Sequence, residues 1–180
     1  HDHDVSFYSV LDGQDDLEVR VDPHPNAFRG EGAPGRDADV VVLYDMPAAM
    51  TPGPEAHLRA FVEAGGGVVS LHHAIAGRTG WRWWWEEVIG GRYLEAPEGD
   101  RPASTYKHDV EMTVRVAAQH PVTAGLTDFR ILDETYKGLW ISPGVTVLLT
   151  TDDPTSDGPV AWVSPFPKAR NGRCVTVKWS

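Results

Sequence analysis

Val68-Val69-Ser70-Leu71-His72-His73-Ala74-Ile75-Ala76-Gly77 sets the architecture of this 180-residue chain. A short apolar run, Val68 to Leu71, stops at two adjacent histidines, and small residues and a glycine follow. Such a run reads as a buried parallel strand, and the carboxyl end of a strand is where open α/β sheets place ligands. Two imidazoles there offer acid/base or metal-binding groups. A histidine pair held only by backbone partners beside the core is the bland alternative; the strand-end position favours function.

Upstream, Asp39 to Tyr44 is a second continuous apolar run with the same signature. Thr51-Pro52 supplies an N-cap and a first-turn proline. Leu58, Phe61 and Val62 follow at helical spacing, and Gly65-Gly66-Gly67 closes the helix. The order from Asp39 to Leu71 is therefore strand, helix, strand, a βαβ unit. Leu17 to Val21 alternates like a further strand, and Phe28 to Arg36 reads as a loop. Downstream, Trp81, Trp84, Trp85 and Val88 fall at i, i+3, i+4 and i+7, one face of a helix that Gly90-Gly91 ends. A polar loop spans Glu95 to Thr105. Val110 to Val116, Phe129 to Leu132, Val145 to Thr150, Val160 to Val163 and Cys174 to Trp179 are strand candidates. The expected product is one α/β domain over residues 1–180 with a β-rich second half.

Composition narrows the function classes. Twenty-six acids against 16 bases give a formal net charge of −10, and no basic cluster interrupts that balance. Nucleic acid and anionic membrane surfaces are thus poor partners. No apolar stretch approaches a membrane span. The single cysteine, Cys174, excludes an internal disulfide framework and a cysteine-rich zinc site. A reducing cytoplasm is the expected compartment. Phosphate-binding glycine loops, dinucleotide fingerprints and the Gly-x-Ser-x-Gly elbow of serine hydrolases are missing; Ser70 falls inside a strand. The chain begins at His1 and ends just after a strand-like run, so a fragment cut at both ends is expected.

Several residues can carry chemistry. His1 and His3, flanked by Asp2 and Asp4, can bind a divalent metal or be a loose end. Asp45, just past a strand, can orient an imidazole or cap a helix or turn. Asp133, Glu134 and Tyr136 follow a strand; neighbours in an extended segment point to opposite faces, so Glu134 and Tyr136 share a side that Asp133 does not. A solvated acidic turn is the alternative. His108 alone reads as a surface histidine, and His120 as a residue capping or packing the Pro121 turn. His24 and His57 read as surface positions. Trp83 leaves the apolar helix face, so it is either partly exposed or covered from outside the helix, and it is a candidate for ligand or partner contact.

These pieces, in order, resemble the trehalose-utilisation (ThuA-like) family. The resemblance is carried by Leu71-His72-His73-Ala74 with Gly77, and by Trp84 through Ile89-Gly90-Gly91 with Tyr93. His108 follows, then His120-Pro121-Val122-Thr123-Ala124-Gly125-Leu126 with Phe129, and Asp133-Glu134 with Tyr136. His1-Asp2-His3 is similar to a histidine-containing loop after that family's first strand. The resemblance implies a flavodoxin-like, class I glutamine amidotransferase-like three-layer sandwich, here without the family's first strand. In amidotransferase relatives a nucleophilic cysteine occupies the sharp turn after a central strand. Here that turn carries His72 and His73, and Cys174 lies elsewhere, which argues against amidotransferase chemistry.

The resemblance further implies disaccharide catabolism through an oxidised sugar. A 3-keto glycoside has an acidic proton at C2 that a histidine can remove, while a metal or imidazolium stabilises the enolate and an acid protonates the leaving oxygen. On this reading His73 is base or ligand and His72 its partner or second ligand. Glu134 and Tyr136 supply acid or sugar contacts, and His108, Asp45, Trp83 and Asp133 contact substrate. A zinc-like divalent ion on His1, His3 and His73 is a variant. The expected partner is a small carbohydrate, with a homo-oligomer compatible. A non-enzymatic sugar-binding or interaction module is the rival, and a metal-dependent hydrolase of another small molecule a third option.

Overall fold

β1 (Val40–Leu43), α1 (Pro52–Glu63) and β2 (Gly67–Leu71) form the anticipated strand–helix–strand unit, with β1 and β2 parallel from Val40 opposite Gly67 to Leu43 opposite Ser70. The structure, a computed structural model, describes residues 9–22, 28–30, 35, 37–44, 50–164, 166 and 174–177. His1, His3, His24 and Asp45 lie outside the described residues.

Local chemistry explains the unit. Thr51 takes the N-cap position in extended backbone, but its side chain makes no capping bond. Pro52 and Pro54 instead remove two of the amide hydrogens that a helix start leaves unpaired. Leu58, Phe61 and Val62 are buried, as their spacing requires. Gly66 is needed for closeness: a Cβ there would lie 2.3 Å from the Phe61 ring. β1 departs from the expectation of a fully buried strand, because Val40 and Val42 are exposed on one side. Leu17 to Val21 forms no strand, and Leu17 and Val21 are exposed; alternation alone cannot hold a strand without a partner.

The rest of the chain adds β3 (Gly91–Arg92), β4 (Thr105–Val116), β5 (Phe129–Lys137), β6 (Trp140–Ile141), β7 (Thr146–Thr151), β8 (Pro159–Ser164) and β9 (Cys174–Val177). The main sheet has seven strands in the order β1-β2-β9-β8-β7-β4-β5. β9 pairs parallel with β2 and antiparallel with β8, so it joins the βαβ unit to an antiparallel half. β3 and β6 form a separate two-stranded ribbon. The protein is thus a mixed α/β fold.

The Trp81 to Gly91 segment is helical but not α-helical throughout. Trp84–Ile89 is a π-helix closed by Gly90 at φ +69. Its buried residues are Trp84, Val88 and Ile89, a spacing of i, i+4 and i+5 that suits i→i+5 hydrogen bonding. Trp85, placed on the buried face by α-helical counting, is instead half-buried; its ring packs edge-on to Trp140 at 5.0 Å and lies under Arg92. The π-helix is pinned to β8: Trp162 Nε1 donates to the Ile89 carbonyl at 2.9 Å and Ser164 Oγ to the Glu87 carbonyl at 2.7 Å.

β4 and β5 both run further than their alternation indicated. β4 starts at Thr105 because a bulge interrupts its pattern: Lys107 faces Thr135 and Val110 faces Asp133, which sets His108 and Asp109 together against Glu134. β5 continues to Lys137, so Asp133, Glu134 and Tyr136 are strand residues. Only Val114 to Val116 of β4 pairs with β7. The far part of the β4–β5 ribbon therefore projects beyond the sheet. It is tied back by Ser104, whose Oγ accepts from Leu94 N and donates to the Gly138 carbonyl, both at 2.9 Å.

Candidate functional site

β2 ends in a 3₁₀ turn, His72–Ile75, and the sequence reverses so sharply there that His72 adopts φ +46. That left-handed conformation is uncommon for a non-glycine residue and worth a functional question. It falls on the first residue after the strand, the place a strained nucleophile elbow would occupy. His72 is buried, with 4% of its surface exposed; His73 is half-buried. Their rings are 3.7 Å apart centre to centre. Tyr44, just past β1, stacks on His72 at 5.8 Å and meets His73 edge-on at 6.2 Å.

The projecting β4–β5 ribbon delivers the partners. Tyr136 Oη lies 3.0 Å from His72 Nδ1 and donates to Glu134 Oε2. Glu134 Oε2 is 3.9 Å from His72 Nε2, and Oε1 contacts His108 Nδ1. Tyr93, after the π-helix, closes another side: its amide donates to the Ile75 carbonyl at 3.3 Å and its ring meets Tyr136 edge-on at 6.1 Å. Burial, then the hydrogen bond and charge of Glu134, hold the Tyr136 phenol far above its ordinary range. Burial, followed by Tyr106 and Glu95, raises Tyr93 as well. Both phenols are therefore neutral donors at physiological pH.

The structure thus brings together His72, His73, Glu134, Tyr136 and His108 from segments far apart in sequence. Glu134 and Tyr136 share a side, as strand geometry required. Asp133 points away and is buried; its Oδ1 accepts from the Glu134 amide at 2.7 Å. Trp83 is half-buried and packed from outside its helix: it packs with Trp81, Trp84 and Phe166, and the Arg59 guanidinium lies 4.1 Å from its ring. His120 caps the Pro121–Thr123 turn by accepting from Val122 N. His57 is tied to the Phe28 carbonyl at 2.7 Å rather than loose on the surface. Cys174 opens β9 opposite Val68, at the other end of the strand pair from His72.

Tyr44, Tyr93 and Tyr106, none of them a candidate site residue by pattern, wall the histidine and carboxylate cluster; Tyr106 meets His108 edge-on at 5.0 Å. The only hint was aromatic residues at segment ends. As for a metal, no group of three histidine, cysteine or carboxylate residues is arranged to hold an ion among the described residues. His1 and His3, two of the three expected ligands, lie outside them.

A family model described as ThuA, trehalose utilisation, matches residues 12–179. The chain belongs to the ThuA family. This ThuA domain is similar in fold to a ThuA-like protein of Parabacteroides merdae ATCC 43184 (19% identity, 97% of this chain and 72% of the other, TM-score 0.75). A ThuA-like protein of Bacteroides uniformis ATCC 8492 is similar to the same degree (20% identity, 99% and 74%, TM-score 0.73). A looser likeness, at TM-score 0.51 and 16% identity, links 79% of the ThuA domain to 19% of Gan42B, a GH42 β-galactosidase. No curated protein matches the chain. No helix of the ThuA domain is long and apolar enough to cross a membrane among the described residues.

Proposed function

We propose that this ThuA domain is an enzyme of carbohydrate catabolism, built on a flavodoxin-like three-layer sandwich, that acts on a 3-keto glycoside by histidine acid/base chemistry. One observation carries the reading: a strained, buried histidine at a strand end is hydrogen-bonded to a neutral tyrosine that a carboxylate in turn engages. This base–orienter arrangement is the form a general base requires.

In the proposed reaction a histidine of the pair removes the C2 proton of the keto sugar. The electron pair moves into the enolate, the C1–O bond breaks, and the departing alkoxide takes a proton from imidazolium. The products are an unsaturated keto sugar and an alcohol. His72, oriented by Tyr136, is that histidine, and His73, half-buried beside it, is its partner on the open side. Tyr44, Tyr93 and Tyr106 offer the aromatic faces that sugars stack upon. His108 is exposed enough to meet a sugar hydroxyl. Asp133 and Trp83, both occupied elsewhere, are not given a sugar contact. The donor set for a metal is incomplete among the described residues, so no step is assigned to one.

The test is turnover of a 3-keto disaccharide by the full-length protein and its His72→Ala variant. Loss of about 2–4 orders of magnitude is expected for removal of a general base. Unchanged turnover in His72→Ala would sink the assignment. Binding of an unoxidised disaccharide with no turnover of its keto form would favour a sugar-binding module instead.

A further inference from the structure

The contacts around Glu134 determine more than proximity, because they fix where protons sit. Both carboxylate oxygens are engaged: Oε1 by His108 Nδ1 and Oε2 by the Tyr136 hydroxyl. An ionised carboxylate is acceptor-only, and a phenol has a single proton to give. Once Tyr136 spends that proton on Glu134, its oxygen can only accept from His72 Nδ1, 3.0 Å away.

We infer that Glu134, acting through Tyr136, is a positioning residue that fixes the proton of His72 on Nδ1 and so makes Nε2 the nitrogen that gains and loses a proton. The same direction holds whether His72 is neutral or charged, since Nδ1 carries hydrogen in both. Glu134 and Tyr136 thereby orient the base instead of touching substrate. A buried aspartate plays that part for the histidine of serine proteases, where the wrong tautomer is costly. Here the carboxylate acts one residue further away, through a phenol. The bulge that sets His108 and Asp109 opposite Glu134 gives the carboxylate its second donor.

This inference rests on the proposed acid/base reading of the site, but its test does not depend on turnover. Ring nitrogens of histidine-labelled full-length protein are read by NMR at a pH where the imidazoles are neutral, with His72→Gln assigning the His72 signals. In the wild type, His72 should show a protonated Nδ1 and a lone-pair Nε2. In Glu134→Gln the amide can donate to Tyr136, Tyr136 can then donate to Nδ1, and the pattern should invert. Tyr136→Phe removes the phenol without changing packing much, and should leave a mixture of the two tautomers; it serves if the Gln variant does not fold. A wild-type proton on Nε2, or an unchanged Nδ1 proton in both folded variants, would overturn the inference. Correct tautomers without keto-sugar turnover would instead overturn the proposed function alone.

Discussion

Tyr136 is the residue on which folding and chemistry meet. Its phenol is neutral in the folded protein well above the pH at which a free tyrosine ionises, because burial and Glu134 disfavour the phenolate. Below about pH 10 both folded and unfolded states keep the proton and stability is unaffected; above it the unfolded chain loses a proton that the folded state retains. Stability should therefore fall as pH rises past about 10, and Tyr136→Phe should lessen that alkaline loss in melts followed across pH. Gly66 makes a purely steric case. Gly66→Ala places a methyl against the Phe61 ring and should cost about 1–3 kcal/mol by denaturant unfolding. The histidine pair was legible because adjacent imidazoles ended an apolar run. The phenol's role was not, since nothing local tells Tyr136 that His72, 64 residues earlier, will be its neighbour.

Elements carry what single residues cannot. The β4 bulge turns His108 toward Glu134 and depends on Asp109 at φ +55. Asp109→Val should destabilise by about 1–2 kcal/mol, the usual cost of the left-handed region. Asp109→Gly should hold or gain stability, and both are readable in urea melts. The bulge also explains why alternation located only the second half of β4: an extra residue shifts the pattern by one, and a period-2 reading begins anew at Val110. The tryptophan-rich segment shows the reverse error. Its helical character was evident, but counting at α-helical period put Trp85 on the buried face, whereas the π-helix swings it out and brings Ile89 in. A sequence window registers that apolar residues recur; it does not register which hydrogen-bond step the closing Gly90 and the clamp from Ser164 will select.

At the scale of the molecule, β9 holds two unlike halves together. Removing it would leave β2 and β8 with unpaired backbone edges inside the sheet, a heavy cost for buried polar groups. A chain ended after Phe166 should lose the single cooperative thermal transition expected of the longer chain, as calorimetry would register. The strand itself was visible as an apolar alternation from Cys174. Its place between β2 and β8 was not, because pairing between distant segments leaves no mark in either one.

The central position of β9 also has a timetable. About 100 residues separate the end of β2 from the start of β9, so on a ribosome adding ~5–20 residues per second β2 waits roughly 5–20 s for its neighbour. Through that interval the edge that later lies against β9 is open to any extended chain nearby, and His72 has already been made but cannot yet be locked into its final turn by a complete sheet. The newborn protein is therefore expected to be a client of factors that shield strand edges, and to reach its working form only once synthesis has passed Val177.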